Sequence, residues 1–357
     1  MNMNLNGAIN SEIIQRVTRA TMAIYRRSWE QGEAIQAMLE LRNYPMLFTM
    51  AREIAYTRLD DGRTLLNSDW EKRTVTDPCS CGEALMVAAQ LTGDQLIKEA
   101  YDGLLDYTLN RADRSEDGIL YHLNETPEYW VDSIYMMPPF LAAAGHYKEA
   151  VKQINGYWNA LYDPEIKMLN WIWNAEEKKI VRTRHRSICT GYAAVGIVKV
   201  ASKLPASMKA EKDDLMEKAK IVIDSILRYV DEDGCCHDTL TDPDSIIGVN
   251  AISMVSATIF RARAMGYLDE QYEEKANFLR QAQHGRVDPY GFLYGVCGIP
   301  NNNKTGISAN GQSFFLMMEA AWHDLYENPI HKPDAWYNSM FKDDAAKSSD
   351  YMDIIRQ

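Results

Sequence analysis

The 357-residue sequence has no run of about 18 apolar residues, the length a helix needs to span a bilayer. It also has no extended Lys/Arg tract, and 38 Lys+Arg against 50 Asp+Glu leave a formal charge of −12. A nucleic-acid partner needs its phosphates neutralised, so both a membrane and a nucleic acid are excluded as expected partners. The first residues, MNMNLNGAINSEII, show neither a basic start nor an apolar core. No secretory signal is read there, and a cytoplasmic location is expected. Cysteine is scarce: Cys79, Cys81, Cys189, Cys235, Cys236 and Cys297 suit free thiols better than a disulfide framework. Cys79-Ser-Cys81 and Cys235-Cys236-His237 lack the spacing of a common zinc knuckle, so no metal is expected. GxSxG, P-loop, HExxH and dinucleotide fingerprints are all missing, and no cofactor is expected. No Pro/Gly/Ser linker divides the chain, which reads as one domain over 1–357 with a polar tail from about 327 packed across its outside.

What is present is helical periodicity. Apolar residues at 3–4 spacing mark helices near 10–27, 30–41, 45–58, 82–91, 94–109, 129–143, 146–160, 187–203, 209–230, 246–265, 269–283 and 310–326. Strand-like runs are short, as in GILYHL and GFLYGV. Hydrophobic content of 46% with 25% charged residues supplies an ample core. A repeated connection joins the helices: an apolar helix, a Gly-bearing turn, then an amphipathic helix. LTGDQLIKEAYDGLL, AAGHYKEAVKQI and AMGYLDEQYEEKANFL are instances, with Gly93, Gly145 and Gly266 as left-handed caps. Buried helices thus alternate with half-exposed ones. Six such hairpins in a ring make an all-α (α/α)6 barrel, and an open superhelix of hairpins is the competing architecture.

In such a ring, chemistry belongs where polar and aromatic residues gather just before an inner helix. Asp132, between Trp130 and Tyr135, is the first candidate. A carboxylate beside aromatic surface is desolvated, and a carboxyl still protonated near neutrality can act as a general acid. Its alternative is a helix-start aspartate facing the macrodipole. Asp77, before the CSC turn, is either a turn aspartate or the second carboxylate of a pair with Asp132. His122 lies ten residues before Asp132. Trp29, Trp130, Trp171 and Trp173 fall at the ring's mouth, as an aromatic wall for a sugar or as plain core. Arg182, Arg184 and Arg186 in RTRHRS form a solvated loop or a clamp for an anionic group.

At WVDSIYMMPPFLAAAG the chain resembles glycoside hydrolase families 88 and 105, the unsaturated glucuronyl and unsaturated rhamnogalacturonyl hydrolases. SWEQGEAIQAMLEL, DPCSCGEAL, ILYHL and FFLMMEAAW extend the likeness from about 27 to 326. The resemblance implies the (α/α)6 barrel, a small-molecule or oligosaccharide substrate, and an acid that protonates the C4=C5 bond of a terminal 4,5-unsaturated uronic acid. Asp132 matches that acid and Asp77 falls near the second aspartate. Trp130, Met136 and His122 match pocket positions, and Trp29, Trp173 and Arg186 are taken with them as substrate-binding residues. Two departures follow. Trp171 occupies the family's histidine position, and Ile188 and Tyr192 stand where an arginine and a tryptophan are usual. Arg184 or Arg186 is then the substitute arginine. The missing arginine also motivates an alternative, in which the same acid isomerises or cyclises a small non-sugar metabolite. A non-catalytic scaffold of hairpins is the reading from a third class.

Overall fold

The structure, a computed structural model, describes residues 11–66, 71–299 and 301–327. The tail expected from about 327 falls, from 328 onward, outside the described residues. Thirteen α-helices occur among the described residues: α1 (Glu12–Ile24), α2 (Ser28–Glu40), α3 (Tyr44–Tyr56), α4 (Gly82–Thr92), α5 (Gln95–Asp106), α6 (Ser133–Met136), α7 (Pro138–Ala143), α8 (Tyr147–Leu161), α9 (Ser187–Lys203), α10 (Lys209–Leu227), α11 (Asn250–Ala264), α12 (Glu270–His284) and α13 (Ala309–Tyr326). Local chemistry sets their ends. Asp94 accepts from Leu96 N at 2.9 Å to start α5, and Ser308 accepts from Gly311 N at 3.2 Å to start α13. Gly93, Gly145 and Gly266 take φ of 66°, 84° and 79°, the left-handed turn that ends the preceding helix.

The helices divide into two kinds. Along α2, α9, α11 and α13 nearly every side chain is buried. Along α5 and α8 burial is periodic, on Ile97, Ala100 and Leu104 and on Ala150, Ile154 and Trp158. The first kind packs on both sides and forms an inner ring; the second shows one face to solvent. The ring closes in the order α2, α4, α6/α7, α9, α11, α13 and back to α2. Outside it, α1, α3, α5, α8, α10 and α12 pack against their inner neighbours. This is the (α/α)6 barrel, and closure rules out the open superhelix.

Two features hold the closure. Where α9 passes α6, a Cβ on Gly196 would sit 2.2 Å from the Ile134 carbonyl oxygen. Only glycine permits that approach, and α6 is the helix that follows Asp132. Gly196→Ala is therefore expected to cost about 3 kcal/mol, the upper part of the overpacking range. The fall in urea midpoint measures it. At the far end of the barrel, Lys199 pairs with Glu40 at 2.8 Å and Glu83 at 3.4 Å, and Lys203 pairs with Glu83 at 3.0 Å. Arg42 reaches Asp324 at 2.7 Å, tying the end of the first inner helix to the last.

The strand content differs from expectation. The predicted helix over 129–143 is three pieces: strand β1 (Glu128–Trp130), then α6, then α7. Pro138 and Pro139 break the backbone ladder after Met137. Glu128–Trp130 pairs with β2 (Ile172–Asn174), which pairs in turn with β3 (Lys179–Arg182), all antiparallel. GILYHL and GFLYGV form isolated bridges, such as Arg114 with Leu120 and Val287 with Leu293, and no long ladder. The helix read from 246 starts at Asn250, and that read from 10 starts at Glu12.

Candidate active site

The small sheet β1–β2–β3 stands beside the starts of α6 and α9 and carries an aromatic wall. Trp130 leaves β1 and stacks on His122, with ring centroids 4.3 Å apart and planes 13° from parallel. Trp171, just before β2, meets Trp130 edge-to-face at 5.8 Å. Val131 N donates to Trp171 O at 3.1 Å, so the chain into Asp132 is fixed by the same sheet.

Asp132 is the residue at the start of α6, set within this wall. The Cys189 thiol approaches its Oδ1 at 3.5 Å, and its Oδ2 is buried with no hydrogen-bond partner. Burial pushes the Asp132 carboxyl above the ordinary carboxylate range, against the opposing pull of Arg186, Cys189 and Trp171. The indole Nε1 of Trp171, likewise buried, faces this carboxyl and favours its charged form. The Asp132 carboxyl and the Trp171 indole thus lie side by side in the wall, a donor next to a partly protonated acid.

His122 lies next to Asp132 through Ser133 and Trp130, and Asp77 faces His122. His122 Nδ1 is 2.9 Å from Thr76 Oγ1 and 3.0 Å from Ser133 Oγ, and the two hydroxyls are 3.1 Å apart. A hydroxyl donating to Nδ1 leaves the ring proton on Nε2, which faces Asp77 Oδ1 at 3.7 Å. That distance is too long for a hydrogen bond. Asp77 itself opens the tight turn Asp77–Cys81 that leads into α4. Burial lowers the His122 imidazole to about 3, so it stays neutral at ordinary pH. The unfolded chain binds that proton below about 6.5, and the native state does not until about 3. Native stability from this group is therefore intact above pH about 6.5 and lost progressively as pH falls toward 3. Chemical denaturation midpoints measured from pH 7 to pH 4 are expected to fall, and His122→Gln to flatten the upper part of that decline.

Arg186 supplies the positive charge. Its guanidinium lies 5.4 Å from the Trp171 ring centroid, and its Nη2 and Nε reach Asp238 Oδ1 at 3.1 and 3.2 Å. Arg184 reaches Asp238 Oδ2 at 2.6 Å and Thr239 Oγ1 at 2.7 Å. Asp238 is buried and also accepts from the Cys297 thiol at 3.2 Å.

The remaining sequence candidates are spread more widely. Trp29 is half-buried on the first turn of α2, and Trp173 is half-buried on β2 opposite Tyr129. Met136 is buried and borders a small interior cavity with Gln36, Glu83, Phe140 and Lys199, away from the aromatic wall. Tyr192 lies deep in the barrel and donates to Glu33 Oε1, which also accepts from Asn310 Nδ2 at 2.9 Å. Burial raises the Glu33 carboxyl well above its ordinary range. Asn250 Nδ2 donates to Asn310 Oδ1 at 2.8 Å, so one polar chain joins α2, α9, α11 and α13 inside the ring.

Sequence reasoning missed Cys189, Glu33, Asp238 and the Thr76–Ser133 pair. Glu33 was legible as a carboxylate inside an apolar inner helix, and Cys189 follows Arg186 by one helical turn. Asp238 carried no signal, since it arrives from a loop 52 residues after Arg186. All six cysteines are free and buried. Among the described residues no group of three or more His, Cys, Asp or Glu is disposed to hold a metal, and no helix is long and apolar enough to cross a membrane.

A closed ring of six hairpins with a desolvated carboxyl set in an aromatic wall at the start of one inner helix defines a class of helical-barrel protein. The chain belongs to Glycosyl Hydrolase Family 88, whose model matches residues 7–318. It is 24% identical over 212 residues to the unsaturated rhamnogalacturonyl hydrolase YesR of Bacillus subtilis strain 168, a match over 55% of this chain and 60% of that protein's length. Its fold is that of a family 105 glycoside hydrolase from C. acetobutylicum ATCC 824, with TM-score 0.74 and 15% identity over 88% of this chain and 99% of the other. An unsaturated glucuronyl hydrolase from Bacillus sp. GL1 shares the fold at TM-score 0.64 and 12% identity, over 89% of this chain and 96% of the other.

Proposed function

We propose that the protein hydrolyses oligosaccharides ending in a 4,5-unsaturated uronic acid, with Asp132 as general acid. The observation that carries this reading is the buried, unpartnered Oδ2 of Asp132, whose carboxyl burial holds toward its protonated form beside Trp130, Trp171 and Arg186. A sugar ring lies against the indoles, and Arg186 takes the uronate carboxylate in place of the family's usual arginine. Asp132 delivers its proton to C4, and the electron pair of the C4=C5 bond forms the new C4–H bond. The cation left at C5 is stabilised by the ring oxygen. Water bonds to C5 and gives its proton to the Asp132 carboxylate, which restores the acid. The hemiketal opens to a C5 ketone as its hydroxyl proton passes to the ring oxygen, and the hemiacetal this leaves at C1 collapses to an aldehyde, its hydroxyl proton going to the oxygen of the released neighbouring sugar.

No second carboxylate is needed at the spacing of retaining or inverting glycosidases, because the bond first attacked is a vinyl ether. Asp77 then serves beside the neutral His122 and Ser133, shaping the pocket floor next to Asp132. The charge of Arg186 near Asp132 supports a uronate over a non-sugar substrate, since Arg186 can stand in for the missing arginine. The test is a panel of unsaturated disaccharides from pectin and from glycosaminoglycans, followed by loss of the double-bond absorbance. Turnover of at least one is expected, and a folded protein that consumes none overturns the reading.

A further inference from the structure

Arg182, Arg184 and Arg186 alternate along the extended segment that runs from β3 into α9. Alternate residues of an extended chain share one face, and the contacts agree. Arg184 and Arg186 both reach Asp238. Arg182 and Arg186 both lie over Trp171, at 5.5 and 5.4 Å from its ring centroid. The row thus passes directly beside the wall that holds Asp132.

The charges do not balance. Asp238 is the carboxylate bonded to the row, and two oxygens of one group serve two guanidiniums. Among the described residues no ion pair engages Arg182. Lys179 pairs with Glu177 at 3.1 Å, and Glu128 accepts from the Trp130 indole at 2.8 Å. Glu128 is in register, through Asn174, with Lys179 and not with Arg182. Two positive charges are left at one rim of a protein whose formal charge is −12. A single uronate carboxylate on Arg186 satisfies one of them.

We infer that Arg182 and Arg184 form a second anion position, so that the preferred substrate carries a carboxylate or sulfate on the sugar next to its unsaturated uronate. This rests on the reading that Asp132 acts on an unsaturated uronate. Arg184 is held flat by Asp238 and Thr239, with about half of its side chain in solvent, and presents its free edge outward. Arg182 lies over the Trp171 ring, and its carbonyl oxygen accepts from Trp171 N at 3.1 Å. Asp238 is the buried anchor that fixes Arg184 and Arg186 within this row.

The experiment is calorimetric binding to full-length Asp132→Asn protein, in which turnover is blocked and the ligand persists. Three unsaturated disaccharides are compared: one with a neutral neighbouring sugar, one with a second uronate, and one with a sulfated sugar. At low salt at least one charged ligand is expected to bind about tenfold tighter than the neutral one, with the preference shrinking as salt is raised. Which charged ligand wins identifies carboxylate or sulfate as the source. Adding Arg182→Gln is expected to remove most of that preference, and Arg182→Lys to retain part of it. Arg182→Gln touches no carboxylate, so it spares the Asp238 anchor; unfolding midpoints confirm that the variant is folded. Equal affinities for all three, or a preference that survives Arg182→Gln, overturn the second position alone. Failure of all three to bind, with none consumed by the unsubstituted protein, overturns the uronate reading and this inference with it.

Discussion

Asp132→Asn is expected to lower kcat on an unsaturated disaccharide about 10³-fold, within the range general acid catalysis contributes, with little change in KM. The amide matches the carboxyl in size and keeps the Cys189 contact at Oδ1. What it removes is the transferable proton. The same substitution is expected to leave stability at neutral pH unchanged or raised. Burial disfavours the Asp132 carboxylate, and a carboxyl whose native pKa is raised contributes stability below its unfolded value that is lost as pH rises through the native one. A neutral amide has no such loss. Activity carries the same sign: kcat/KM of the unsubstituted enzyme is expected to fall as pH rises through the Asp132 value, because the acid must be protonated in the free enzyme. Steady-state kinetics against pH, with thermal unfolding of both proteins, checks all three outcomes.

Glu40→Gln is expected to be the more damaging change to the fold, costing about 3–5 kcal/mol, the range for breaking a buried ion pair. Glu40 lies inside the far end of the barrel, 2.8 Å from Lys199 and 3.4 Å from Arg261. Burial alone would raise its carboxyl, but Lys199 and Arg261 outweigh that and hold it at about 2. Removing the negative charge leaves Lys199 beside Glu83 and Arg261 beside Asp324, with one carboxylate too few for the buried cations. Glu40→Gln with Lys199→Met is expected to recover a large part of the loss, since the pair is then removed together. Urea midpoints of the two single variants and the double close that cycle. Catalysis by the folded fraction of Glu40→Gln is expected to match the unsubstituted enzyme, because the aromatic wall lies at the other end of the inner helices.

The ring itself was legible in the sequence. Inner helices such as 187–203 are apolar all round and outer ones such as 95–106 on one face, so the period and the Gly93, Gly145 and Gly266 caps announced six hairpins. The sheet at the mouth was not. Its strands are three or four residues long, and Trp130 finds its partner Ile172 some forty positions later. The run Tyr129, Trp130, Ile134, Tyr135 also carries helical spacing, which hid the strand. Asp132 stood out because Trp130, Tyr135 and His122 lie close to it in sequence, whereas Trp171, the other half of the wall, does not. The arrangement that tunes it was not legible, because Cys189, Arg186 and Asp238 reach it from α9 and from a later loop. Tyr192 and Met136 match the family pattern and both are buried, Tyr192 donating to Glu33 within the electrostatic reach of Asp132.

The central claim is that Asp132 protonates the C4=C5 bond and that glycosidic cleavage follows from hydration. The direct measurement records double-bond absorbance and release of the neighbouring sugar together on one unsaturated disaccharide. One double bond lost for each sugar released, with both processes abolished in Asp132→Asn, is the predicted result. Release of the sugar with the double bond intact, or full activity in Asp132→Asn, would contradict it.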